Sequence, residues 1–233
     1  MELRRRFFRA LVIVLGLSLT APAQTASPSS SSSSANQIKK PTASTGTVLD
    51  AGAVTNGVYR NKSLALSCKI PEGWVLRTDE MNDREGEVEE NAKSDSAPSP
   101  TPGASSAGAK VLLAAFSRPP DARAEDVNSS ILIAAESAAN YPGLKDAAQY
   151  FGPLIEVAHA QGLTMDEDPY EIAVGPKTLV RADFHKDIGS RVLHQSTLTM
   201  LSRGYAISIT IIAGTEDEAE ELIDGLTFSA TGK

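Results

Sequence analysis

The chain has 233 residues, room for one domain of ordinary size or two small ones, and 41% of them are hydrophobic. Only 5% are aromatic, so any core has to be built from aliphatic side chains. The formal net charge is −7, and it grows more negative if the basic first 23 residues are removed. Such a surface repels phosphate backbones, which excludes nucleic acid as a partner class and disfavours anionic membranes.

The N-terminus reads as an export signal. A basic head, Arg4-Arg5-Arg6-Phe7-Phe8-Arg9, precedes an apolar run from Ala10 to Leu19, and Ala21-Pro22-Ala23 is the small-x-small pattern that signal peptidase cuts after. The run is shorter than the roughly 20 residues of a membrane span. No cysteine follows it, so a lipid anchor at that point is excluded. Arg4-Arg5-Arg6-Phe7-Phe8 also resembles a twin-arginine export motif, with Leu3 where a polar residue is usual. The expectation is a signal peptide over 1–23, cleavage near Ala23, a periplasmic or secreted destination, and no transmembrane segment in the rest of the chain.

Residues 24–55 are rich in Ser, Thr, Ala and Pro, with serine unbroken from Ser29 to Ser34. Too little of this stretch is apolar to offset the entropy of ordering it, so it is expected to be a disordered linker. Residues 56–233 are expected to form one domain interrupted by a disordered acidic insertion at 78–109. Its first half carries Asp79, Glu80, Asp83, Glu85, Glu87, Glu89, Glu90 and Asp95 against Arg84 and Lys93. A calcium loop centred on Gly86 would need a carboxylate where Ala92 stands, so the stretch reads as a solvated loop.

Within the domain, Leu64–Ile70 and Trp74–Arg77 read as short strands joined by a tight turn at Pro71-Glu72-Gly73. Val111–Phe116 and Ile131–Ala135 are unbroken apolar runs, as in strands covered on both faces. Leu144 to Ala160 repeats apolar residues at helical spacing, with Pro153 expected to kink or break the helix near Gly152. Thr178–Lys186, Arg191–Leu201 and Tyr205–Ile212 read as longer strands, linked by turns at Ile188-Gly189-Ser190 and Arg203-Gly204 and therefore antiparallel. Thr215 with Glu218 has capping-box spacing, Ala219, Leu222 and Ile223 form an inward face, and Gly225 ends this last helix before a short strand, Leu226-Thr227-Phe228. Together these elements predict an α+β fold, an antiparallel sheet covered by two helices.

Tyr59-Arg60-Asn61, the strand that follows it, and Ile70-Pro71-Glu72-Gly73-Trp74 resemble the opening of PsbP-like domains. So does the later order: a long helix, antiparallel strands with Gly204-Tyr205 opening one of them, then a closing helix and a strand ending at Phe228. The resemblance covers about Val58 to Ser229. It implies an α-β-α sandwich and a non-enzymatic accessory or binding role. No residues match those by which photosystem members hold their metal-containing partner, and the acidic insertion departs from the family pattern.

Little in the chain suggests catalysis. Cys68, the lone cysteine, lies in an apolar strand and reads as a core residue. His159 falls at the end of a predicted helix, where a partial positive charge is favoured. Gly-x-Ser-x-Gly, Gly-x-Gly-x-x-Gly and the phosphate-binding loop are absent from the sequence. Asp166-Glu167-Asp168, beside Pro169, reads as a solvated turn. His185 and His194 are the candidate metal ligands: pairing about Gly189 sets His185 roughly opposite His194 or its neighbour, with Asp183 or Asp187 near, and two facing imidazoles with such a carboxylate suit a metal such as zinc. The leading expectation is an exported non-catalytic domain, without a cofactor, that binds a protein partner in the envelope or outside the cell. The alternatives are a small hydrolase or metal-dependent enzyme using His185 and His194, and a small-molecule carrier.

Overall fold

The computed structural model describes residues 49–83, 109–122 and 126–229. The export signal, the serine run and most of the acidic stretch lie outside these residues. In chain order the elements are β1 (Ala53–Thr55), β2 (Val58–Asn61), β3 (Leu66–Lys69), β4 (Val75–Leu76), a helix α1 over 78–83, β5 (Ala109–Phe116), β6 (Ser130–Ser137), α2 (Phe151–Ala160), β7 (Thr164–Met165), β8 (Tyr170–Val174), β9 (Lys177–Ile188), β10 (Arg191–Ser202), β11 (Tyr205–Ala213), α3 (Glu216–Asp224) and β12 (Leu226–Phe228).

The folded chain starts upstream of residue 56: Leu49 is buried, and β1 pairs with β2 across a two-residue turn. That turn, Asn56-Gly57, has φ values of 51° and 70°. Both residues are left-handed, as the tight hairpin matching strand twist requires, and Asn and Gly are the pair that adopts it most readily.

The strands form two sheets. The smaller has the order β1-β2-β3-β12; the larger has the order β4-β5-β6-β11-β10-β9-β7, with β8 pairing on β9 beside β7. Every ladder among the described residues is antiparallel. The Pro71-Glu72-Gly73 turn carries the chain from β3 in one sheet to β4 in the other, so it is a corner and not a hairpin. β5 and β6 are buried on both faces, as their unbroken apolar runs predict.

One face of the large sheet (Leu198, Ile207, Ile209, Ile211, Ile131 and Ile133 among its residues) packs against α3 and the small sheet in the main core. On the opposite face, α2 lies over Val180, Ala182 and Phe184 of β9, and Met81 of α1 packs on Val111, Ala114 and Leu132. The mixed α and β composition and the antiparallel pairing therefore match the expectation. The single sheet between two helices does not: a second sheet takes much of the place of one helical layer, because Tyr59, Leu66, Cys68, Leu226 and Phe228 give it an apolar face of its own.

The predicted long helix is also shorter than its pattern. Residues 148–150 form a single 3-10 turn, and α2 starts at Phe151, which puts Pro153 in the first turn. The amide it lacks would have had no partner in the helix there, so no kink follows. α3 follows its signals closely: Thr215 Oγ1 accepts from the Glu218 N–H at 3.1 Å, and the Glu218 carboxylate accepts from the Gly214 N–H at 3.0 Å. Gly225 ends α3 with an ordinary φ of −69°, so it is not needed for a left-handed cap. A Cβ there would lie 3.1 Å from the Leu222 carbonyl oxygen and 3.4 Å from that of Lys69. The tight contact is thus with the last turn of α3 itself, and β3 would be at ordinary contact distance.

Candidate functional site

The β9–β10 register makes His185 and His194 direct cross-strand partners, which puts both imidazoles on one face of the sheet. Each has a separate acidic neighbour. His185 Nδ1 contacts the Asp166 carboxylate, and His194 Nδ1 is 3.8 Å from Glu216 Oε1 at the start of α3. Among the described residues, no group of three or more His, Cys, Asp or Glu side chains is gathered as a metal site. Asp183 is occupied elsewhere. It accepts from Tyr170 Oη at 2.8 Å, from Ser196 Oγ at 2.5 Å and from Arg181 Nε at 2.9 Å, while Arg181 Nη2 reaches Glu220 on α3 at 2.5 Å. Burial pushes the Tyr170 hydroxyl up to about 12, with the Asp183 carboxylate adding to it. Burial lowers the proton affinity of Arg181, but its bonds to Glu220 and Asp183 outweigh this and leave the guanidinium more firmly charged than usual. This network ties β8, β9, β10 and α3 together. Asp187 is exposed near the β9–β10 turn.

The remaining sequence candidates separate. Cys68 is fully buried on β3, and burial pushes its thiol up to about 12, so it is inert as a nucleophile at neutral pH. His159 is exposed in the last turn of α2. Of the acidic triplet, Asp166 holds His185 while Glu167 and Asp168 are exposed. The contact between Asp166 and His185 spans the unpredicted strand β7, so no local pattern announces it.

A larger feature lies at the corner between the sheets. β1 is the edge of the small sheet and β4 the edge of the large one, and both line a cleft of about 550 Å³. Val54 and Leu76 lie on those edges and are, with Ile188, the exposed large apolar side chains among the described residues. Trp74, the only tryptophan, lines the same cleft half-buried.

The backbone at both edges points outward. Thr55 and Val58 flank a two-residue turn and form a hydrogen-bonded pair, so Val54, one position back, turns its N–H and C=O away from β2. Arg77 N–H donates to the Ala114 carbonyl at 2.9 Å, so Leu76, again one position back, turns its backbone groups away from β5. Among the described residues, two unpaired edges, two exposed aliphatic side chains and a tryptophan thus share one cleft. Sequence reasoning found the Pro71–Trp74 turn but neither edge, since β1 falls in the expected linker and edge position is a property of sheet order.

No family model and no curated protein matches this chain. Among solved structures it is similar to a protein of unknown function from Pseudomonas aeruginosa, PA94, at 17% identity over 47% of this chain and 79% of that one, with a TM-score of 0.35. It is also similar to LpqN, involved in cell envelope biogenesis of Mycobacterium tuberculosis, at 13% identity over 71% and 83% with a TM-score of 0.34. A Bacteroides thetaiotaomicron protein matches at 11% identity over 72% and 46%, with a TM-score of 0.32. None of the three is described as PsbP-like, and likenesses this low carry no argument about fold or role.

Proposed function

We propose that this chain is an exported, non-catalytic binding domain of PsbP-like kind, held by a linker and docking an extended segment of a protein partner in the cell envelope. The observation that carries the reading is the cleft between β1 and β4. An extended segment gains main-chain hydrogen bonds by adding to a free strand edge, and side-chain pockets beside the edge supply selectivity. Val54 and Leu76 offer those backbone groups, and the Trp74 ring offers the large apolar surface typical of binding hot spots. Exposed sheet edges carrying apolar residues are aggregation hazards that proteins often guard with charge, and the absence of any charged residue from β1 and β4 themselves supports a partner.

Photo-crosslinking in the native host tests this, with the reactive residue at Val54, at Leu76, or at Ile188 on the far tip of β9 as control. The expected result is one recurring protein adduct at positions 54 and 76 and none at 188, lost when Trp74→Ala is added. Equal capture at position 188, or capture at 54 that survives Trp74→Ala, overturns the reading.

A second reading is supported by the register that faces His185 with His194: two imidazoles on one face bind a divalent cation such as zinc and activate water for hydrolysis. Native mass spectrometry with added zinc tests it. Stoichiometric zinc that disappears in the His185→Ala/His194→Ala variant supports it, and the same zinc uptake by both chains sinks it.

A further inference from the structure

The face of the large sheet that carries α2 is covered from both sides and left polar in the middle. α2 covers β9, and α1 reaches β5 and β6. Between them, β10 and β11 present Gln195, Thr197, Ser208 and Thr210, with Ser130 of β6 alongside. The register sets these in cross-strand rows: Gln195 beside Ile212 beside Ser130, and Thr197 beside Thr210 beside Leu132. A central strand under helices is ordinarily apolar, because a buried hydroxyl needs a partner.

These side chains floor a cavity walled by Leu154 and Val157 of α2 and by Leu132 of β6. Thr197 and Ser208 are each 3% exposed and Ser130 is 6% exposed. Gln195 Nε2 donates to Thr197 Oγ1 at 3.3 Å. The hydroxyls of Ser130, Ser208 and Thr210 have no hydrogen-bond partner among the described residues. Among the described residues, the side-chain polar atoms that are both sealed and unpartnered are Arg77 Nε and Arg118 Nε, and neither residue lines this cavity. The three hydroxyls are therefore open to the cavity.

The geometry points to a binding site for a single alkyl chain carrying one uncharged oxygen group, an alcohol or an ester. Three properties select that class. Among the described residues no ionisable side chain lines the cavity, so a charged head group would lose its hydration without gaining a counter-ion there. The hydroxyl row donates to and accepts from an oxygen, which a bare hydrocarbon would leave unused. The cavity volume is about 60 Å³, far below the roughly 300 Å³ at which pockets begin to hold drug-sized molecules, so only one narrow end enters. The chain lies against Leu154, Val157 and Leu132 while its oxygen bonds to the floor. This site is separate from the cleft at Trp74 and does not depend on it.

The test is titration of the full chain with 1-octanol, followed by backbone amide shifts, with octanoate at pH 8 as the charged control. The expected result is saturable shifts in α2, β10 and β11, and binding of octanoate at least tenfold weaker. Thr210→Val and Ser208→Ala, which keep side-chain size nearly constant, should each weaken octanol about fivefold with the remaining spectrum unchanged. Val157→Trp, on the half-exposed wall, should close the site in a protein that remains folded. Octanoate binding as tightly as octanol, shifts clustering around Trp74, affinity unchanged in both hydroxyl variants, or no saturation up to the solubility limit would each overturn the assignment.

Discussion

The fully buried Cys68 predicts a specific loss of stability in alkali. Its neighbours across the small sheet are Tyr59 on β2 and Leu226 on β12, and burial pushes its thiol from an ordinary 9.0 up to about 12. Above pH 9 the unfolded chain gives up this proton and the folded chain keeps it, so the unfolded state binds fewer protons and stability falls as pH rises. The slope is about 1.4 kcal/mol per pH unit, which amounts to about 2 kcal/mol by pH 10.5. Tyr59, also pushed up to about 12 mainly by burial, adds its own loss above pH 10. Cys68→Ala removes the thiol's contribution together with the small part of the Tyr59 shift that Cys68 supplies, and it keeps the larger part that burial causes, so comparing the two chains reads mainly the thiol. Urea unfolding at pH 8 and at pH 10.5 should show the native chain losing about 2 kcal/mol more than Cys68→Ala between the two conditions. The same loss in both chains, or rapid labelling of the folded protein by a thiol reagent at pH 8, would refute the reasoning.

Other expectations follow from local geometry. Thr215→Ala removes the acceptor for the Glu218 N–H and should cost about 1 kcal/mol in denaturant unfolding. Gly189→Ala and Gly225→Ala should each cost about 1–2 kcal/mol for different reasons: left-handed backbone at φ +63° in open space, and a Cβ 3.1 Å from the Leu222 carbonyl oxygen. Asparagine separates them by the same assay, because it tolerates the left-handed conformation and should recover stability at position 189 while worsening it at 225. Val54→Lys guards the β1 edge with a charge at a position that is exposed, although it faces Tyr59 across the hairpin. It should leave unfolding within about 0.5 kcal/mol of the native chain and abolish partner capture at Leu76.

Where the chain carries a strong local signal, sequence and structure agree. The apolar runs at Val111–Phe116 and Ile131–Ala135 are buried strands, and Thr215, Glu218 and the Ala219-Leu222-Ile223 face make α3. The sequence puts His185 opposite His194 or its neighbour, and the structure makes the turn two residues, Gly189-Ser190, which selects the register that faces the two histidines. What was missed is short or lacks periodicity. β1, β7 and β8 have two to five residues each, and their hydrogen-bonding partners lie on strands that a local reading cannot locate. At Pro153 the break expected near Gly152 is present as the change from the 3-10 turn at 148–150 to α2 at Phe151, with the proline in the first turn of the helix that follows.

Both candidate binding places lie beyond local pattern. Alternation along β10 and β11 marks which residues share a face, but whether Thr197, Ser208 and Thr210 meet a helix, a cavity or water depends on where α1 and α2 settle across the sheet. The cleft at Trp74 likewise exists only because β1 and β4 became edges of two different sheets that meet at one corner. By itself the sequence determined composition class, the main strands, the capped helix and the antiparallel connections, since each rests on interactions a few residues apart. Tertiary structure alone decided the number of sheets, their edges and their cavities, because strand order and layer packing are set by contacts between segments far apart in the chain.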